Sequence, residues 1–152
     1  MNDTPARRLP AAALLLLALL GASALQAHTG EEAPPMALRG AMQKLGQDMQ
    51  AVTGAIAVED WAKVAELAPG IAHHAEPPPE EKARIIAWLG ADAGRFRGFD
   101  AEAHEAATAM GAAAARGDGT AVIAAFARVQ AGCLGCHQGF RKAFIGHFYG
   151  QH

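Results

Sequence analysis

DGTAVIAAFARVQAGCLGCHQGF, residues 118–140, carries a helical pattern and a cluster of reactive side chains in one run. Asp118 is a residue type that caps a helix start, and Val122, Phe126, Val129, Cys133, Cys136, Phe140 and, just beyond, Phe144 recur at steps of three and four. That spacing places them on one face of a helix. Cys133 and Cys136 are the only cysteines in the chain, and His137 follows directly. On a helix, positions i, i+3 and i+4 share a face, so two thiols and an imidazole project in one direction.

Working outward, three more helical patterns precede this one. After the lead EEAPP at 31–35, Leu38, Met42, Leu45, Met49, Val52 and Ile56 form a single stripe, and Pro34 and Pro35 stand where a helix can begin. A second pattern runs from about Val58, with Glu59 and Asp60 in its acidic first turn, through Trp61, Val64, Leu67 and Ala68 toward Ile71 and His74. Pro69 and Gly70 predict a kink or break in it, because proline removes a backbone donor and crowds the preceding turn. Pro77 to Pro79 force a connection. From Glu80, the residues Ile85, Ile86, Leu89, Phe96 and Phe99 lead to Ala103, Ala106, Ala107, Met110 and Ala114, with Gly90, Gly94 and Gly98 weakening the first half. The expectation is a short helix over about 80–90, an irregular bend, and a longer helix over about 100–116 that stops at Gly117. Four helical patterns without a convincing strand predict an all-α fold, an antiparallel up-down-up-down four-helix bundle. Its many alanines favour close helix approach, and its few aromatics gather toward the C-terminal end, where a large flat group fits.

The chain has 152 residues and half of its composition is apolar, enough for one domain with a core. Thirteen basic against fifteen acidic residues give no electrostatic basis for capturing nucleic acid or an anionic membrane. Residues 1–27 have a basic patch at Arg7 and Arg8, an apolar run from Leu9 to about Leu25, and small residues at the end. This is the layout of a secretory signal peptide. The run is shorter than the roughly 20 residues of a spanning helix. Cleavage is expected after Ala27, with Ala24 as the alternative, leaving a slightly acidic mature protein of residues 28–152 in the periplasm with no stable membrane insertion. Two idle free cysteines are unusual where thiols oxidise.

C-x-x-C-H at residues 133–137 reads as covalent attachment of one haem c, the thiols forming thioethers and His137 coordinating iron. Three competitors remain. A redox dithiol wants a cysteine at a helix N-terminus, whereas this pair lies more than a dozen residues into a helical pattern. A zinc site wants a fourth ligand, and the chain has one such cluster rather than two. A structural disulfide, or two buried thiols, would make His137 coincidental.

CLGCHQGFRK near the end of an exported, four-helix chain resembles the class II c-type cytochromes, which include cytochrome c-prime and its low-spin relatives such as c-556. The resemblance covers about Met36 to Lys142. It is weakest between Pro69 and Phe99, and it does not place the tail IGHFYGQH. It implies C-x-x-C-H on the last helix, followed by an aromatic and a basic residue, here Phe140 and Arg141. In low-spin members a methionine of the first helix is the distal ligand, within a pattern that looks like Met42, Gly46 and Met49; the match makes Met42 that ligand. Met42 and Met49 lie about 10.5 Å apart along a helix, so both cannot reach one iron. The alternatives are that both are ordinary core methionines, that Met49 ligates, or that iron is five-coordinate. Leu38, Leu45, Phe126, Phe140 and Phe144 are the expected walls, and Arg141 either contacts a haem propionate or the proximal side, or is a solvated charge.

The implied function is a non-enzymatic carrier of single electrons between periplasmic donor and acceptor proteins, with homodimerisation through the first two helices an open option. One alternative is a five-coordinate cytochrome c-prime binding nitric oxide or carbon monoxide. Another is a periplasmic metal-handling protein using the remaining histidines, His28, His73, His74, His104, His147 and His152. Of these, His73, His74 and His104 are the candidates for a second metal site. Adjacent His73 and His74 point in different directions on a helix, so at most one joins His104. His28 would stand at the new N-terminus, where its amine and imidazole suit copper.

Overall fold

The computed structural model describes residues 35–150, and every regular element among them is helical. The expected signal peptide, its cleavage site, His28 and His152 lie outside the described residues. Six helices follow in order: α1 Ala37–Ala57, α2 Trp61–Ala72, α3 Pro79–Leu89, α4 Ala93–Ala115, α5 Gly119–Cys136 and α6 Lys142–Phe148. A 3-10 turn, Gly90–Asp92, joins α3 to α4, and a π-helical turn, His137–Arg141, joins α5 to α6.

α1 begins where its prolines allow, and its first free amides find a partner far along the chain. The N–H groups of Ala37 and Leu38 donate to the two carboxylate oxygens of Glu81 on α3, each at 2.8 Å. The carboxylate thus satisfies two orphan donors at the positive end of the helix dipole. Glu81→Ala is expected to lower stability by about 1 kcal/mol, as loss of a helix cap does, in a chemical denaturation experiment. An unchanged midpoint would contradict this capping role.

Three boundaries differ from the sequence expectation. Asp60 is the N-cap of α2 rather than part of its first turn, its side chain accepting from the Lys63 amide at 2.9 Å, and Glu59 lies in the preceding turn with φ of 57°. α2 runs through Pro69 and Gly70 without a break. Pro69 lies in the last turn, where only one backbone bond is forfeited, and a Cβ on Gly70 would come within 3.4 Å of Asp48 Oδ2 on α1. Finally, α4 begins at Ala93 rather than near residue 100, so Gly94 and Gly98 are helical. Burial of Ala93, together with packing of Phe96 and Phe99, outweighs roughly 1 kcal/mol of glycine penalty at each position. The remaining signals act as read. Gly117 follows α4 with φ of 69°, and Asp118 accepts from the Ala121 amide at 3.0 Å.

Packing runs in sequence: α1 lies against α2, α2 against α4, and α4 against α5. α1 and α5 do not pack backbone to backbone in this way. The α4 and α5 contact is close because α5 has glycine where they meet. A Cβ on Gly135 would stand 2.5 Å from the Phe99 ring, and one on Gly132 would stand 3.3 Å from the Phe99 carbonyl oxygen. Gly119–Phe148 is long and apolar enough to cross a membrane by length and composition, yet it holds α4 along this glycine face.

Two apolar clusters result. The larger contains Val52, Val64, Val122, Val129 and Met110, all fully buried, among alanines of α2 and α4, with Leu45, Met49, Phe126 and Cys133 packed against it. The smaller is aromatic and contains Met36, Ile85, Leu89, Ala93 and Phe140, with Leu38, Trp88, Phe96, Phe99, Cys136, Phe144 and Phe148 packed against it. The expected C-terminal concentration of aromatics is therefore one cluster drawn from α3, α4, α6 and the π-helical turn.

Candidate functional site

Cys133 and Cys136 close α5, one helical turn apart, and both are free and half-buried. They belong to different surroundings. Cys133 packs on the larger cluster and Cys136 on the aromatic one, so the pair straddles the border between them. Burial pushes the Cys133 thiol up. Burial, then the charges of Asp100 and Cys133, pushes Cys136 up to about 11. A redox dithiol needs a thiolate stabilised near neutral pH, and this environment does the reverse. A cysteine-ligated ion is equally unsupported, because the one trio of ligand atoms that converges among the described residues contains no cysteine.

His137 is exposed and opens the π-helical turn. Such insertions widen a helix by one residue per turn and occur often at functional positions. Phe140 lies within this turn and is buried. The Arg95 guanidinium covers the Phe140 ring at 4.5 Å, and Phe96 meets the same ring edge-on at 5.4 Å. Arg141 ends the turn and is exposed. The sequence periodicity gave no sign of the insertion.

α1 buries an unexpected face. Its buried residues are Ala41, Asp48, Val52 and Ala55, whereas the larger stripe residues Leu38, Leu45, Met49 and Ile56 are half-buried and Met42 is 38% exposed. Asp48 is held by Lys44, but its Oδ2 is buried without a hydrogen-bond partner. Met42 lies four residues after Leu38, which joins the aromatic cluster, and three before Leu45, which joins the larger one. Met42 itself is exposed and belongs to neither cluster.

The structure brings His74 and His104 together and leaves His73 out. His74, just beyond α2, and His104, on α4, flank Asp100, with His74 Nε2 and His104 Nε2 at 3.4 and 3.6 Å from its Oδ1. The hydrogen bond to Asp100 raises the His74 pKa despite burial, and the same bond lowers that of Asp100. His73 instead lines a shallow groove between α2 and α4 with Ala68, Ala72, Thr108 and Gly111. His147 stacks on Trp88 at 5.7 Å in the aromatic cluster. The expectation that at most one of His73 and His74 joins His104 matches this placement, and the added partner is Asp100, one helical turn before His104.

No protein family, curated protein or solved structure matches this chain.

Proposed function

We propose that the chain is an exported mono-haem c-type cytochrome of the class II kind, a carrier of single electrons between periplasmic proteins, built on an antiparallel up-down-up-down bundle. Cys133 and Cys136 hold the haem through thioethers, His137 is the proximal ligand and Met42 the distal one. The register of the two apolar clusters carries the reading. On α5 the cysteines bridge from the larger cluster to the aromatic one, and on α1 Met42 stands between Leu45 and Leu38, which belong to the same two clusters. The start of α1 and the end of α5 thus meet one aromatic cluster, as antiparallel first and last helices would.

The residues present fit the group. Two protonated, half-buried thiols one turn apart suit thioether formation at two separated carbons better than coordination of a single ion. The neighbouring imidazole is exposed, and the partly exposed large side chains of α1 are apolar. When bound, haem supplies an iron centre that gains and loses one electron. The chain does the rest. His137 and Met42 offer imidazole and thioether, a ligand pair that favours a raised potential. Leu38, Leu45, Phe126, Phe140 and Phe144 keep water from the centre and disfavour added positive charge. Arg141 supplies an exposed cation for a propionate.

The five-coordinate, gas-binding alternative differs only in the distal ligand, which Met42→Ala tests. Haem-loaded wild type is expected to show sharp low-spin visible bands and Met42→Ala broad high-spin ones. Met49→Ala, whose side chain already packs on the larger cluster, is expected to stay low-spin. A Met42→Ala spectrum identical to wild type would overturn the assignment, and a high-spin wild type would favour the gas-binding reading.

A further inference from the structure

His74, Asp100 and His104 form the other concentration of ligating side chains among the described residues, and nothing in the haem reading uses them. The fold gathers them from two elements. His74 follows the end of α2, while Asp100 and His104 stand one turn apart on α4. Their ligand atoms all lie within 4.8 Å of one another.

The contacts to Asp100 are longer than well-formed hydrogen bonds. Hydrogen bonds from nitrogen to oxygen fall at about 2.7–3.2 Å, and those between ionised partners are shorter still. The two contacts to Asp100 Oδ1 are 3.4 and 3.6 Å. Around a tetrahedral zinc ion with bonds of about 2.0–2.1 Å, neighbouring ligand atoms are separated by roughly 3.3–3.4 Å. The two contacts to Asp100 Oδ1 are close to such an edge, and the third separation, between the two imidazoles' ligand atoms, is no more than 4.8 Å.

Two further features point the same way. His104 Nε2 is buried and has no hydrogen-bond partner, a state that costs free energy unless something engages the atom. His74 Nδ1 lies 3.2 Å from the Ala75 carbonyl oxygen, so in the neutral ring donation there places the proton on Nδ1 and frees Nε2 to take an ion in place of its hydrogen bond to Asp100. That outer hydrogen bond is the usual means of fixing the tautomer of a metal-ligating histidine. The rings meet edge to face at 4.7 Å between centroids, which allows both Nε2 atoms to approach one carboxylate oxygen. The nearby cation Lys82 is engaged by Glu76 at 2.7 Å.

We infer that His74 Nε2, His104 Nε2 and an Asp100 carboxylate oxygen form a site for one divalent first-row transition ion, with a fourth position for water. Two imidazoles and a carboxylate suit zinc(II), and no candidate haem ligand takes part. The site shares no ligand with the haem reading, although the Asp100 charge also acts on Cys136.

The test is zinc(II) titration of the purified mature protein by calorimetry, with bound metal counted after equilibrium dialysis. Zinc rather than copper is the probe because the expected N-terminal His28 favours copper. Wild type is expected to bind one zinc at this site, and His74→Ala and His104→Ala are each expected to weaken that binding by about 10-fold or more. Asp100→Asn, which preserves shape and removes charge, is expected to weaken it as well, and His73→Ala to leave it unchanged. His104→Gln, checked for native helicity, serves if the alanine variant does not fold. Wild type that takes up no zinc would overturn the site. So would equal binding by the His74 and His104 variants, or a loss that follows His73→Ala. The visible spectrum of the same sample reads haem content separately, so failure of one proposal is distinguishable from failure of the other.

Discussion

Cys133→Ser/Cys136→Ser is expected to give, from a host able to attach haem, a polypeptide without covalent haem. After denaturing electrophoresis it should show no haem stain, whereas wild type keeps its stain. The expectation follows from the chemistry of the two sites. Serine preserves size and helical position, and Gly135 still leaves room for Phe99, so the α4 and α5 contact is undisturbed. What is lost is the nucleophilic sulfur. His137 and Met42 remain able to coordinate iron, so weakly held pigment before denaturation is compatible with the proposal. Pigment surviving denaturation in the double variant would contradict it, because no other cysteine exists in the chain.

Met110→Ala is expected to lower stability by about 2–5 kcal/mol, as buried methionine truncations do. The upper half of that range applies here. Met110 has no exposed surface and sits among Ala68, Ala72, Ala106, Ala107, Ala113 and Ala114, which have no side-chain length with which to fill a cavity. α2 and α4 already approach closely at this level, where a Cβ on Gly111 would stand 3.0 Å from the Ala68 methyl carbon. Denaturant unfolding reads the change as a shift in midpoint at constant slope. A loss below about 1 kcal/mol would mean that the core collapses around the deletion.

The helices were legible because spacing of three and four is a strong signal over long stretches. Asp118 and Gly117 acted as their residue types dictate. Where local propensity competed with packing, packing won: Gly94 and Gly98 are helical because Ala93, Phe96 and Phe99 are engaged in the aromatic cluster, and Pro69 ends no helix because it stands in the last turn. The π-helical turn was hidden because an insertion of one residue leaves no trace in a pattern that tolerates steps of three and four. The burial of α1 was misjudged for a related reason. Its large residues form the visible stripe, but the buried positions are Ala41, Asp48, Val52 and Ala55, and Gly70 of α2 leaves room for Asp48.

The cysteine pair and His137 were legible as a motif. That the pair straddles the border between the two apolar clusters was not, since it depends on which cluster each cysteine joins. The same holds for the second trio. His74 and His104 were visible as histidines, but the choice of His74 over His73 depends on how α2 ends, with His73 capping it and His74 turned toward α4.

The most direct test of covalent haem attachment is the intact mass of wild-type protein, made in a haem-attaching host and measured under denaturing conditions. The proposal predicts the mature polypeptide plus one haem. The mass of the bare polypeptide, from a colourless preparation, would contradict it.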